Sequence, residues 1–98
     1  MKHFLIAMIS MVSLSVFAQN AEKGAQLYGT CIQCHGEKGL GNVDQQAPRI
    51  AGQHDWYILT QLTNFKSKIR QNEKMYPYIK NLSEQDFKDL ASYVSKLK

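Results

Sequence analysis

From residue 19 onward the apolar positions fall into three stretches of helical period, and no stretch alternates strictly enough to read as a strand. Ile58, Leu62, Phe65 and Ile69 recur at i, i+4, i+7 and i+11, widened by Tyr57 and Leu59. That stripe predicts an amphipathic helix over residues 54–69. Phe87, Leu90, Val94 and Leu97 form one face of a second helix, over 84–97. Its start is well marked: Ser83 is placed to N-cap it, Asp86 to close a short capping box, and Leu82 and Phe87 to form a hydrophobic staple. The Asn81-Leu82-Ser83 triplet also has the form of a glycosylation sequon, but the serine is better used as the cap. A third pattern, over 21–30, is shorter, with Leu27 and Tyr28 as its bulky residues. Gly24 lies four before Tyr28 on the same face. A glycine there costs about 1 kcal/mol against alanine, so a close-packed neighbour is expected.

Two irregular segments separate these helices, residues 36–53, which contain Gly, Gln and Pro, and residues 71–81. Loops this long are uncommon in a small domain unless they wrap a site. The expected fold is all-α, with three main helices and long loops around a central object.

The first eighteen residues read differently. Met1-Lys2-His3 gives a short positive start, and an apolar run interrupted by Ser10, Ser13 and Ser15 leads to Val16-Phe17-Ala18. This is the layout of a secretory signal peptide. The run, about fifteen residues, falls short of the roughly 20 needed to span a bilayer, which weighs against the alternative of a retained anchor. The expectation is a cleaved signal over 1–18, one domain over 19–98, and export to the periplasm.

Size then becomes a constraint. A domain this small rarely gains more than about 3–5 kcal/mol from its own core, and small exported domains usually add a staple. Cys31 and Cys34 are the two cysteines, and a disulfide between them would close too short a loop to remove much unfolded-state entropy. Charge adds little. Without Lys2 there are eleven Lys and Arg against eight acids, a net +3, short of a nucleic-acid-binding balance. No internal repeat or low-complexity tract is present.

The chemistry concentrates in Cys31-Ile32-Gln33-Cys34-His35. A redox dithiol of the thioredoxin type wants a preceding strand, which is missing. Zinc wants further soft or imidazole ligands, and beyond this motif only His54 remains after residue 18. Covalent haem attachment fits without strain. Two thiols three apart lie on nearly one side of a helical turn, where they can add to two vinyl groups. The following histidine is then carried beneath the ring to bind iron, and C-x-x-C-H is the c-type haem signature. For a second axial ligand, Met75 is the methionine that survives removal of 1–18, and it sits in a loop rather than on an apolar stripe. His/Met pairing is a known cytochrome c ligation; His54 is the rival.

With "CIQCHG" after a short first helix, "APRIAGQHDWYILTQLTNFKSKIR" in the middle and "KMYPYIKNLSEQDFKDLASYV" at the end, the chain resembles the class I c-type cytochromes. It is most similar to one half of the dihaem cytochromes c-four, but with a single attachment motif, a monohaem version. The resemblance implies a small cytochrome c fold around one haem c and its iron, held through Cys31 and Cys34, with His35 and Met75 as axial ligands. It implies that Pro48 offers its carbonyl to the other ring nitrogen of His35. It also implies that Gly24 and Tyr28 pack against Leu90 and Tyr93, where the first and last helices cross.

The implied role is a soluble periplasmic electron carrier between respiratory redox partners, and not an enzyme. Its contacts with donor and acceptor proteins would be weak and transient. It would bind no nucleic acid and no small-molecule substrate, and would meet a membrane only through partner complexes. The alternatives are an electron-input subunit docked to an oxidase or dehydrogenase, or a haem protein with an open site. Gly36, Gly39 and Gly41 lack the strand context of a phosphate loop. Arg49 and Trp56 are candidates for pairing a haem propionate. Lys66, Lys68, Arg70 and Lys74 are either solvated surface or a docking rim.

Overall fold

The computed structural model describes residues 19–98; the expected signal over 1–18 lies outside the described residues. Five helices follow in order: α1 (Ala21–Leu27), α2 (Ile32–His35), α3 (Asp55–Ser67), α4 (Tyr76–Ile79) and α5 (Glu84–Ser95). A 3-10 turn, Tyr28–Thr30, continues α1. Among the described residues there is no strand, and a bridge between Asn42 and Ala47 pins the long loop after α2. The all-α expectation holds, with α1, α3 and α5 as the main helices.

α5 forms where the sequence marks it. Ser83 Oγ accepts the Asp86 N–H at 3.1 Å, and the Asp86 carboxylate accepts the Ser83 N–H at 2.9 Å, closing the capping box. Leu82 and Phe87 then both join the core. Phe87, Leu90, Ala91 and Val94, spaced i, i+3, i+4 and i+7, are buried. Each large apolar side chain so buried contributes about 1.5–3 kcal/mol.

This helix packs against α1 and against α3. At the α1 crossing a Cβ on Gly24 would stand 2.0 Å from the Asp89 carbonyl oxygen and 2.8 Å from Tyr93 Cβ. Only glycine permits that approach. The Tyr28 and Tyr93 rings meet beside it, centroids 5.4 Å apart. The buried Asp89 carboxylate accepts the Asn20 N–H and the Gln85 side-chain amide, both at 2.9 Å, tying the start of α1 to α5.

α3 buries Ile58, Leu62 and Phe65. Ile69, expected on the same stripe, is 79% exposed. The helix stops at Ser67 because Lys68 takes a left-handed conformation (φ 64°). The Lys68 and Arg70 N–H groups turn back to the Phe65 and Asn64 carbonyls, a closure of the kind that ends many helices. A second difference is α4, a single turn inside the segment expected to be irregular, with Pro77 in its first turn.

Candidate functional site: a cleft between the cysteine turn and the methionine segment

α2 is one turn long, and its register does the placing. Cys31 is its N-cap, and the His35 N–H reaches the Cys31 carbonyl at 3.0 Å. Cys31 and Cys34 thus lie one turn apart and half-buried, with no disulfide between them. The turn ends at Gly36, whose positive φ of 84° suits glycine and sends the chain into the long loop. From the 3-10 turn, the Tyr28 hydroxyl donates to the Gly36 carbonyl at 2.6 Å and so holds this end of α2. Burial first, and then the neighbouring Cys31 and Tyr93, push the Tyr28 hydroxyl up to about 12.

The loop folds back onto the turn it left. The Gly41 N–H donates to the His35 carbonyl at 2.8 Å. A Cβ on Gly41 would lie 2.7 Å from the Ala47 oxygen, the Pro48 carbonyl carbon and the Arg49 nitrogen, so glycine is required for the two limbs of the loop to touch. The returning limb brings the Pro48 carbonyl 2.9 Å from His35 Nδ1. A carbonyl only accepts, so Nδ1 must carry the proton, which leaves Nε2 with its lone pair to bind a metal. His35 itself is buried.

Cys31, Cys34, His35 and Pro48 line a cleft, open at its mouth, whose other contributors include Met75 and Ile79. Met75 is forty residues from His35 in sequence, and the fold brings both to the same cavity. Across the mouth, Lys74 Nζ donates to Gln46 Oε1 at 3.1 Å, joining the two loops. The rival ligand is elsewhere: His54 is exposed, stacks on Trp56 with centroids 5.8 Å apart, and is not part of the lining. Arg49 and Trp56 are likewise exposed and outside it.

The other chemistries lose ground. Burial pushes the Cys31 thiol up, opposed by a hydrogen bond from Thr30 and reinforced by Cys34. A redox dithiol needs its attacking thiol shifted down. Among the described residues no group of three or more His, Cys, Asp and Glu is placed to hold a bare metal ion. Two thiols one turn apart, an imidazole with its Nδ1 engaged and a thioether in one cavity instead fit a covalently held haem. Reading the sequence alone missed Gly41, Asn72 and the Lys74–Gln46 bridge. Asn72 stands three before Met75, the offset of an N-cap from its third helical residue, which was a usable signal.

Comparison with known proteins agrees. The family model for cytochrome c matches residues 21–98. The chain is 44% identical over 69 residues to cytochrome c4 of Thiocapsa roseopersicina, covering 70% of this chain and 35% of that protein. It is 31% identical over 81 residues to cytochrome c-554(548) of Halomonas halodenitrificans, covering 80% of this chain and 96% of that protein. The solved structure of cytochrome c4 from Acidithiobacillus ferrooxidans superposes with a TM-score of 0.73 at 33% identity, covering 85% of this chain and 54% of that one. The matched stretch spans about a third of the length of the c4 relative from Thiocapsa. The chain belongs to the cytochrome c family, has the cytochrome c fold and binds haem c covalently.

Proposed function

We propose that this protein is a one-electron carrier, not a catalyst, exported to the periplasm, with its haem joined to Cys31 and Cys34 and ligated by His35 and Met75. The observation that carries this reading is the convergence of those four residues, from segments forty positions apart, on one cavity. The haem supplies the redox-active iron. The chain's part would be to bind the iron through His35 and Met75 and to keep water from it. Pro48 fixes the imidazole tautomer and raises its basicity, while a thioether and an apolar cleft favour the ferrous state. With the iron bound by both residues, no position on it would be left open for a substrate.

The charge distribution supports transfer to protein partners. Residues 66–80 carry five cations (Lys66, Lys68, Arg70, Lys74 and Lys80) against one acid, Glu73, while the rest of 19–98 carries six against seven. None of the five has a carboxylate partner among the described residues. Lys66 donates to the Leu82 carbonyl, Lys68 lies 4.7 Å over the Tyr76 ring, and Arg70 lies 4.7 Å over Phe65 while donating to Gln61. The net charge of the domain is therefore carried by the segment that contains Met75, without carboxylate partners there. Such a charged segment steers brief encounters with acidic redox proteins. No described helix is long and apolar enough to cross a membrane. Carbon monoxide gives the test: the ferrous protein should reject it, and ready binding would show an open iron and an enzyme or sensor instead.

A further inference from the structure

Met75 reaches the cleft from a segment whose backbone is fixed by one side chain. Asn72 Oδ1 accepts the N–H of Lys74 at 3.1 Å and that of Met75 at 3.2 Å. The Asn72 carbonyl accepts the Tyr76 N–H at 3.0 Å, and the Met75 carbonyl accepts the Tyr78 N–H at 2.9 Å. Asn72 thus N-caps a helical excursion that starts at residue 73 and runs into α4. Met75 is its third residue, one of the amides that no intrahelical carbonyl can reach. Pro77 weakens the excursion from within, since it has no N–H to return to the Glu73 carbonyl four residues back. One acceptor atom therefore anchors the Met75 N–H, and Asn72 is half-buried in the lining of the same cleft.

We infer that Asn72 is the positioning residue for Met75: its side-chain oxygen sets the backbone from which the thioether is offered to the iron. The inference rests on Met75 being the axial ligand, and it goes further by assigning what keeps that ligand in place. A merely structural cap would lower the stability of the whole domain. A positioning residue, when lost, releases the methionine while the helices remain.

The test follows two signals on heating the ferric holoprotein, the sulfur-to-iron charge-transfer band and the far-UV helix signal. In Asn72→Ala the band should fade at temperatures where the helix signal is intact, with about fivefold more protein lacking the band at a fixed temperature. Asn72→Asp keeps both acceptor contacts and should restore the wild-type behaviour. Band and helix signal moving together in Asn72→Ala, or no rescue by aspartate, would overturn the assignment. In the wild-type protein the Met75 amide should exchange slowly with deuterium, and exchange at the rate of a free amide would also overturn it. Met75→Ala separates the two claims. If that variant keeps the band, the ligand reading fails; if it loses the band while Asn72→Ala behaves as wild type, Asn72 alone is wrong.

Discussion

Replacing Gly24 by alanine sets two effects of known size against each other. In an ordinary helix interior the change stabilises by about 1 kcal/mol, because alanine is the better helix former. Here the new methyl group would sit 2.0 Å from the Asp89 carbonyl oxygen and 2.7 Å from its carbonyl carbon, both backbone atoms of α5. Neither can swing aside as a side-chain end would. α1 and α5 must separate, which loosens the Tyr28–Tyr93 contact and the hydrogen bond between Asn20 and Asp89. Overpacking of this kind costs about 1–3 kcal/mol, sometimes more, and the lost contacts add to it. The net effect should be a loss of about 2 kcal/mol. For a domain this size that lowers Tm by about 8–16 °C. Thermal unfolding of the holoprotein, followed by far-UV circular dichroism, measures it. An unchanged or raised Tm would mean that α1 and α5 do not cross as closely as described.

Tyr28→Phe should cost about 1 kcal/mol through the lost bond to the Gly36 carbonyl, seen as a Tm lower by about 4–8 °C. It should also alter alkaline stability. The folded Tyr28 hydroxyl is raised from 10.0 to about 12, chiefly by burial, so the unfolded chain loses this proton first. Stability is then full below pH 10 and falls as pH rises from 10 through 12; denaturant titrations across that window should show less of this fall in the phenylalanine variant. Lys68→Glu combined with Arg70→Glu should slow oxidation of the ferrous protein by an anionic inorganic oxidant about tenfold at low ionic strength. A cationic oxidant should respond in the opposite direction, and both differences should shrink at 1 M salt, where the Debye length is about 3 Å. Equal responses to the two oxidants would remove the basic segment from the transfer path.

The parts of this fold that were legible in the sequence are those whose causes are local. The capping box of α5 lies within four residues, and its stripe repeats often enough to define a period. α2 and α4 have four residues each, too few for any period to show. The end of α3 was misplaced because Lys68 adopts a left-handed conformation without a glycine to announce it. The site divides in the same way. Cys31, Cys34 and His35 are adjacent and declare their chemistry together, and Met75 stood out by survival after residue 18. Gly41 matters because residues 47–49 come back to touch it, and nothing within its own neighbourhood says so. Asn72 was overlooked for a different reason: Pro77 interrupts the helical pattern that would have marked it as a cap.

Axial ligation decides between a closed carrier and an open haem protein, and the ferric absorption spectrum of the wild type beside Met75→Ala and His54→Ala reads it directly. The wild type and His54→Ala should both show the sulfur-to-iron charge-transfer band. Met75→Ala should lack it, and its ferrous form should bind carbon monoxide. A wild-type spectrum without the band, or a Met75→Ala spectrum that keeps it, would contradict the ligation and the carrier function built on it.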